Sequence, residues 1–140
     1  DLFSSRAWVA AAAAEPEDSS VNTGVIDHIA LADWAELVIV APATANVIAK
    51  LAHGITDDLV TAVLLASQAP VLIAPAMNVN MWNHPATRAN LDQLRARGVV
   101  TVGPDAGDLA CGWQGEGRMS DPQTIAEIAQ RLLTAPSTTV

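Results

Sequence analysis

The stretch Val71-Leu72-Ile73-Ala74-Pro75-Ala76-Met77-Asn78-Val79-Asn80-Met81-Trp82 decides how the chain is read. Its opening run is short, apolar and bracketed by Pro70 and Pro75, the profile of a buried strand that stops at a proline. In open α/β sheets ligands lie beyond the carboxyl ends of parallel strands, so Met77, Asn78 and Met81 are expected at a pocket rim. Core filling is the alternative for the two methionines, whose flexible thioethers suit irregular gaps. Asn78 is the sharper signal. A carboxamide directly after a buried strand carries donors and an acceptor together, and must satisfy them in the fold or in a ligand.

Upstream, Leu37-Val38-Ile39-Val40-Ala41 reads as a second buried parallel strand, preceded by a short helix over 28–34 that carries Ile29, Leu31 and Trp34. His28 stands at the head of that helix, either as a surface or capping residue or as a functional imidazole. Pro42 is expected to end the strand's pairing. Thr44 then caps a helix with apolar positions Val47, Ile48 and Leu51, which ends at Gly54. A strand that passes at once into a helix leaves backbone N–H groups at the tip, where anions or carbonyl oxygens can bind. Small residues at Ala43 and Ala45 let a flat ring approach that backbone. Thr56-Asp57-Asp58 opens the next helix, so its acids read as helix caps.

Downstream, Pro85 suits a first helical position, Leu91 and Leu94 give one helix face, and Gly98 terminates it. Val99-Val100-Thr101-Val102 reads as a further strand. Residues 103–117 are rich in glycine and short polar side chains, which predicts a mobile loop with Cys111 in its middle. That cysteine is either a small buried hydrophobe or a reactive thiol. Asp121-Pro122 starts a last helix with Ile125, Ile128 and Leu132 on one face. Residues 134–140 are expected to fray.

Residues 1–27 are the least legible. An alanine run over 10–14 precedes Glu15-Pro16-Glu17-Asp18-Ser19-Ser20, which predicts a poorly defined, flexible connection with at most a helical turn in the alanines.

Across 140 residues the chain is one domain's worth, and 51% apolar content excludes a disordered chain. Seven basic against fifteen acidic residues give a net charge of −8, which argues against nucleic acid as a partner. An anionic substrate must then be held by local donors. No apolar run approaches the ~20 residues of a membrane span, and no leader pattern opens the chain, so a cytoplasmic setting is expected. A single cysteine cannot form an internal disulfide, which suits a reducing compartment. No metal ion is expected.

The central stretch resembles the Pro-x-Met-Asn-x-x-Met-Trp signature of the flavin-dependent cysteine decarboxylases. Ala41-Pro42-Ala43-Thr44-Ala45-Asn46 is similar to that family's flavin-binding turn, and Ala110-Cys111-Gly112 running to Gly117-Arg118-Met119 to its substrate-covering flap. The similarity spans residues 28–133, the expected decarboxylase domain. It implies a three-layer, Rossmann-like α/β flavoprotein with a mainly parallel sheet. Family members open with a strand, a Gly-rich turn and a helix that hold the flavin phosphate, and no such stretch is seen, so the first βαβ unit is expected to be lacking.

The same resemblance implies FMN as cofactor, with Ala43, Thr44, Asn46, Asp58 and Met77 on the cofactor side. His28 and Cys111 are implied as catalytic residues, with Asn78, Met81, Ala110 and Gly112 binding substrate. Flavin oxidises a substrate thiolate to a thioaldehyde, which gives up carbon dioxide as an enethiolate, while His28 acts as base or polarising group. Protonation of that enethiolate at carbon by Cys111, with return of a hydride from the flavin, distinguishes the branch that makes 4′-phosphopantetheine from 4′-phosphopantothenoylcysteine. Peptidyl-cysteine decarboxylases stop at the enethiol. A truncated, non-catalytic flavin-binding domain is the further alternative. The resemblance also implies a homotrimer, or a dodecamer of trimers, with the site between subunits.

Overall fold

The computed structural model describes residues 7–10, 28–108 and 114–134. Strands β1 (Ala7–Ala10), β2 (Leu37–Ala43), β3 (Val71–Pro75) and β4 (Val100–Thr101) form one sheet in that order, every pair parallel. Helices α1 (His28–Trp34), α2 (Ala45–His53), α3 (Leu59–Ala66), α4 (Val79–Asn83) and α5 (Pro85–Ala96) fill the crossovers, and α6 (Pro122–Thr134) follows the last strand.

Alternation along β2 sorts its side chains into two cores, because successive strand residues face opposite sides of a sheet. Val38 and Val40 pack with Ile73, Ile48, Leu64, Trp82, Leu91 and Leu94 beneath the crossover helices. Leu37 and Ile39 pack with Leu72, Ala74 and Val102 against Ile125 and Ala129 of α6. Crossovers between parallel strands are nearly always right-handed, so strands laid down in sequential order place their connecting helices on one face. Among the described helices, α6 covers the other. The result is the three-layer α/β arrangement expected from the sequence. Ile73 is fully buried, and its truncation to alanine would cost about 2–5 kcal/mol.

Local signals set most element ends. Thr44 caps α2 through its hydroxyl, which accepts from Val47 N–H at 3.2 Å, and Gly54 closes the helix in the left-handed region. His84 caps α5 ahead of Pro85, its Nδ1 accepting from Ala86 N–H at 3.1 Å.

Four expectations are corrected. Ala7–Ala10, inside the segment read as a flexible connection, is a strand that pairs residue for residue with 37–40. Four residues are too few for periodicity to declare a strand, and the parallel partner supplies the specification. Pairing in β2 resumes beyond Pro42, at Ala43 opposite Pro75, after a register shift between Val40 and Ala43. Residues 103–117 were expected to be a loop, but β5 (Asp105–Asp108) and β6 (Gln114–Arg118) form an antiparallel pair. Gly107 and Gly115 there have φ of 157° and 149°, extended backbone that side-chain-bearing residues rarely adopt, so glycine content that suggests a loop is what permits this pairing. Thr134, assigned to the tail, ends α6, and its hydroxyl donates to Gln130 O at 2.9 Å.

Candidate active site at the strand carboxyl ends

The tips of β2 and β3 are joined. Ala76 N–H donates to Ala43 O at 3.0 Å, so the turn into α2 and the turn into α4 stand side by side. In α2 the first backbone bond of the ladder runs from Ile48 N–H to Thr44 O, which leaves the Ala45 and Asn46 amides ahead of it at the tip. Ala43 is fully buried and Ala45 half-buried, and each contributes only a methyl group to this turn. A planar, partly anionic group fits such a surface: small residues admit the ring, and backbone donors at the start of a helix suit carbonyl oxygens and negative charge.

Asn78 is the N-cap of α4, and its Oδ1 accepts from Asn80 N–H at 2.8 Å. This fixes the carboxamide's orientation and assigns donation to Nδ2. Met81, half exposed, lines a shallow hollow of about 300 Å³ with Ala45, Asn80, His84 and Thr87. The hollow therefore gathers residues from α2, α4 and the start of α5. Met77 is half-buried and packs against the crossover-helix core, and its N–H donates to Gly117 O at 2.9 Å. Strand β6 thus lies on the Asn78 turn. There Trp82 Nε1 donates to Glu116 Oε2 at 3.2 Å, and the Arg88 guanidinium sits over the Trp82 ring at 4.1 Å.

His28 stands elsewhere in the chain. It begins α1 and lines a second hollow, of about 180 Å³, with Thr56, Ala62, Leu65 and Ala66. The two hollows share no lining residue, and Asn78 lines neither of them. Asp58 caps α3: its carboxylate accepts from Thr61 N–H at 2.7 Å and faces Lys50 Nζ at 3.7 Å. The Thr61 amide, more than Lys50, holds its carboxyl below the ordinary value of 3.8. Lys50 bonds Asp57 at 2.7 Å, which raises the ammonium above 10.5. Ala110, Cys111 and Gly112 lie outside the described residues. Sequence reasoning missed Glu116, Arg88 and His84. Of these only His84 left a signal, a polar residue immediately before a proline at a helix start.

A parallel sheet with helices on both faces, and two strand-to-helix turns joined at its carboxyl edge, defines a Rossmann-like fold. The chain belongs to the Flavoprotein family, whose model matches residues 2–134. It is 54% identical over 110 residues to the coenzyme A biosynthesis bifunctional protein CoaBC of Bacillus subtilis (strain 168), covering 79% of this chain and 27% of that protein. The chain spans about a quarter of the length of the curated CoaBC relatives it matches. Among solved structures, a cysteine-to-serine PPC decarboxylase mutant complexed with pantothenoylaminoethenethiol superposes with a TM-score of 0.76 at 35% identity, over 84% of this chain and 66% of that one. The FMN-dependent cysteine decarboxylase SpaF gives a TM-score of 0.65 at 42% identity, over 77% and 58%.

Proposed function

We propose that this chain carries the FMN-dependent decarboxylation of 4′-phosphopantothenoylcysteine to 4′-phosphopantetheine, in coenzyme A biosynthesis. The observation that carries the reading is the Ala76 N–H to Ala43 O bond, which sets a ring-admitting turn beside the Asn78 turn. Similarity to CoaBC and to PPC decarboxylase supports the substrate.

Bound FMN would supply a reversible two-electron sink for the substrate's carbon–sulfur unit, so that loss of carbon dioxide is redox-neutral overall. The Ala43, Thr44 and Asn46 turn and Met77 hold it. Asn78 donates Nδ2 to the substrate carboxylate until that group leaves, and Met81 supplies an apolar wall. His28 takes the proton released as the sulfur-bearing carbon is oxidised. Cys111 delivers a proton to carbon at the end.

His28 is supplied by a neighbouring copy in this reading. Ile29, Trp34, Leu59 and Leu65 are each 45–59% exposed on α1 and α3, and Leu65 lines the hollow that His28 lines, a face suited to burial against a second copy of the chain. Homotrimers, alone or in dodecamers, are the proposed assembly. No helix among the described residues is long and apolar enough to cross a membrane. A cytoplasmic setting is the one proposed.

The test is to incubate the flavin-loaded protein with phosphopantothenoylcysteine and weigh the product. A saturated thiol supports the reading. An enethiol, two hydrogens lighter, would assign the chain to the peptidyl-cysteine branch that stops at the enethiol, and a colourless protein without turnover would mark a non-catalytic domain.

A further inference from the structure

Strand β6 meets the Asn78 turn through one backbone bond, Met77 N–H to Gly117 O, and through a side-chain group whose members come from three elements. Glu116 of β6 accepts from Trp82 Nε1 of α4 at 3.2 Å, and its carboxylate lies 3.9 Å from Arg88 Nη2 of α5. Arg88 in turn stacks over the Trp82 ring and donates to Asn83 Oδ1 at 3.0 Å, so its guanidinium is oriented from two sides. Trp82 is 3% exposed and cannot move without opening the core, which makes it the fixed member. Glu116 is exposed, and its contacts are what hold β6 to that fixed ring. The seat is tight as well: a Cβ on Gly115 would come within 2.9 Å of Val79 Cγ2.

We propose that Glu116 is a positioning residue. Bound to Trp82 and facing Arg88, it fixes β6 against the Met77–Asn78 backbone, so that the turn carrying the carboxamide is already seated before substrate arrives. The consequence for turnover rests on the proposed function, in which Asn78 binds the substrate carboxylate. Glu116 touches neither reacting atom. Its loss leaves each binding event to reseat the strand, which weakens ground state and transition state alike, so KM rises while kcat holds.

The experiment compares the flavin-loaded parent with Glu116→Ala and Glu116→Gln by site-resolved amide hydrogen exchange and by steady-state kinetics. Exchange at the Met77 amide should quicken roughly tenfold in Glu116→Ala, and less in Glu116→Gln, which keeps an acceptor for Trp82. Amides of 72–74 in the core strand should not change, which separates release of β6 from general destabilisation. KM should rise about fivefold to tenfold with kcat within about twofold of the parent. Met77 exchange at the parental rate overturns the proposal, as does faster exchange with an unaltered KM. Exchange requires no substrate, so a parent that fails to turn over refutes the functional reading while the Met77 amide still decides the role of Glu116.

Discussion

Ala43 O and Ala76 N–H are hydrogen-bonded at 3.0 Å, a contact between residues that stand one beyond the other across the ends of adjacent strands. Through it, any group seated on the first turn of α2 is brought next to the Asn78 turn, and a change at either position is felt at both.

Thr44 tests the first of these turns. Replacing it with alanine removes the acceptor for Val47 N–H and should cost about 1 kcal/mol in urea unfolding. Thr44→Ser, which keeps the hydroxyl, should cost only a few tenths. Flavin titrations of both variants should follow the same order, with weaker binding in the alanine variant alone.

Asp58 predicts an acid dependence. Its carboxyl is held down in the folded state, chiefly by the Thr61 amide, so the stabilisation it gives is complete above the unfolded-state value and is lost as pH falls through the lower folded one. Urea midpoints of the parent should therefore fall between about pH 5 and pH 3, and those of Asp58→Asn should fall less over that window. Lys50 has the opposite sign: with its folded value raised, its contribution is intact below 10.5 and declines above it.

The two proposed proton-handling side chains have separable signatures. Cys111→Ser should release about one carbon dioxide per flavin and accumulate the enethiol, detected as a product two hydrogens lighter. His28→Asn should lower kcat at least a hundredfold with flavin still bound. Saturated product from Cys111→Ser at the parental rate, or full activity in His28→Asn, would remove that residue's role.

The exposed face of α1 and α3 should be an interface. Leu65 is 59% exposed, so Leu65→Glu should leave the unfolding free energy of a single copy within about 0.5 kcal/mol of the parent. Light scattering should nonetheless report a smaller particle, and activity should fall with it, since the hollow that His28 lines would lose its facing copy. A variant with parental mass and activity would place the interface elsewhere.

The sequence carried the sheet's interior well because β2 and β3 are short apolar runs between prolines and caps, and such runs have few alternatives. Thr44 and Asp58 act locally, through bonds to residues three positions away, and Pro85 through its fixed φ at the first helical position, so their roles are legible without the fold. Beta-pairing of glycines 107 and 115 was not legible, because glycine admits both a loop and mirror-extended backbone and only the opposing strand decides between them. Asn78 was read correctly as a residue in need of partners, and Asn80 N–H is one of them. Glu116 and Arg88 escaped for a different reason. They are ordinary surface charges until folding sets them around Trp82, at a sequence separation of 34 residues in the Trp82–Glu116 bond.

Prolines close the two middle strands, Pro42 just before the last pair and Pro75 within it. Neither ring carries an N–H, so the hydrogen-bond ladder has no donor at those places with which to recruit further pairing. The sheet is hemmed there by covalent structure, not by what happens to be bound. The rim on which a ligand would rest keeps its height whether or not the ligand is present, and substitutions in the turns above it can reshape specificity without unravelling the fabric below.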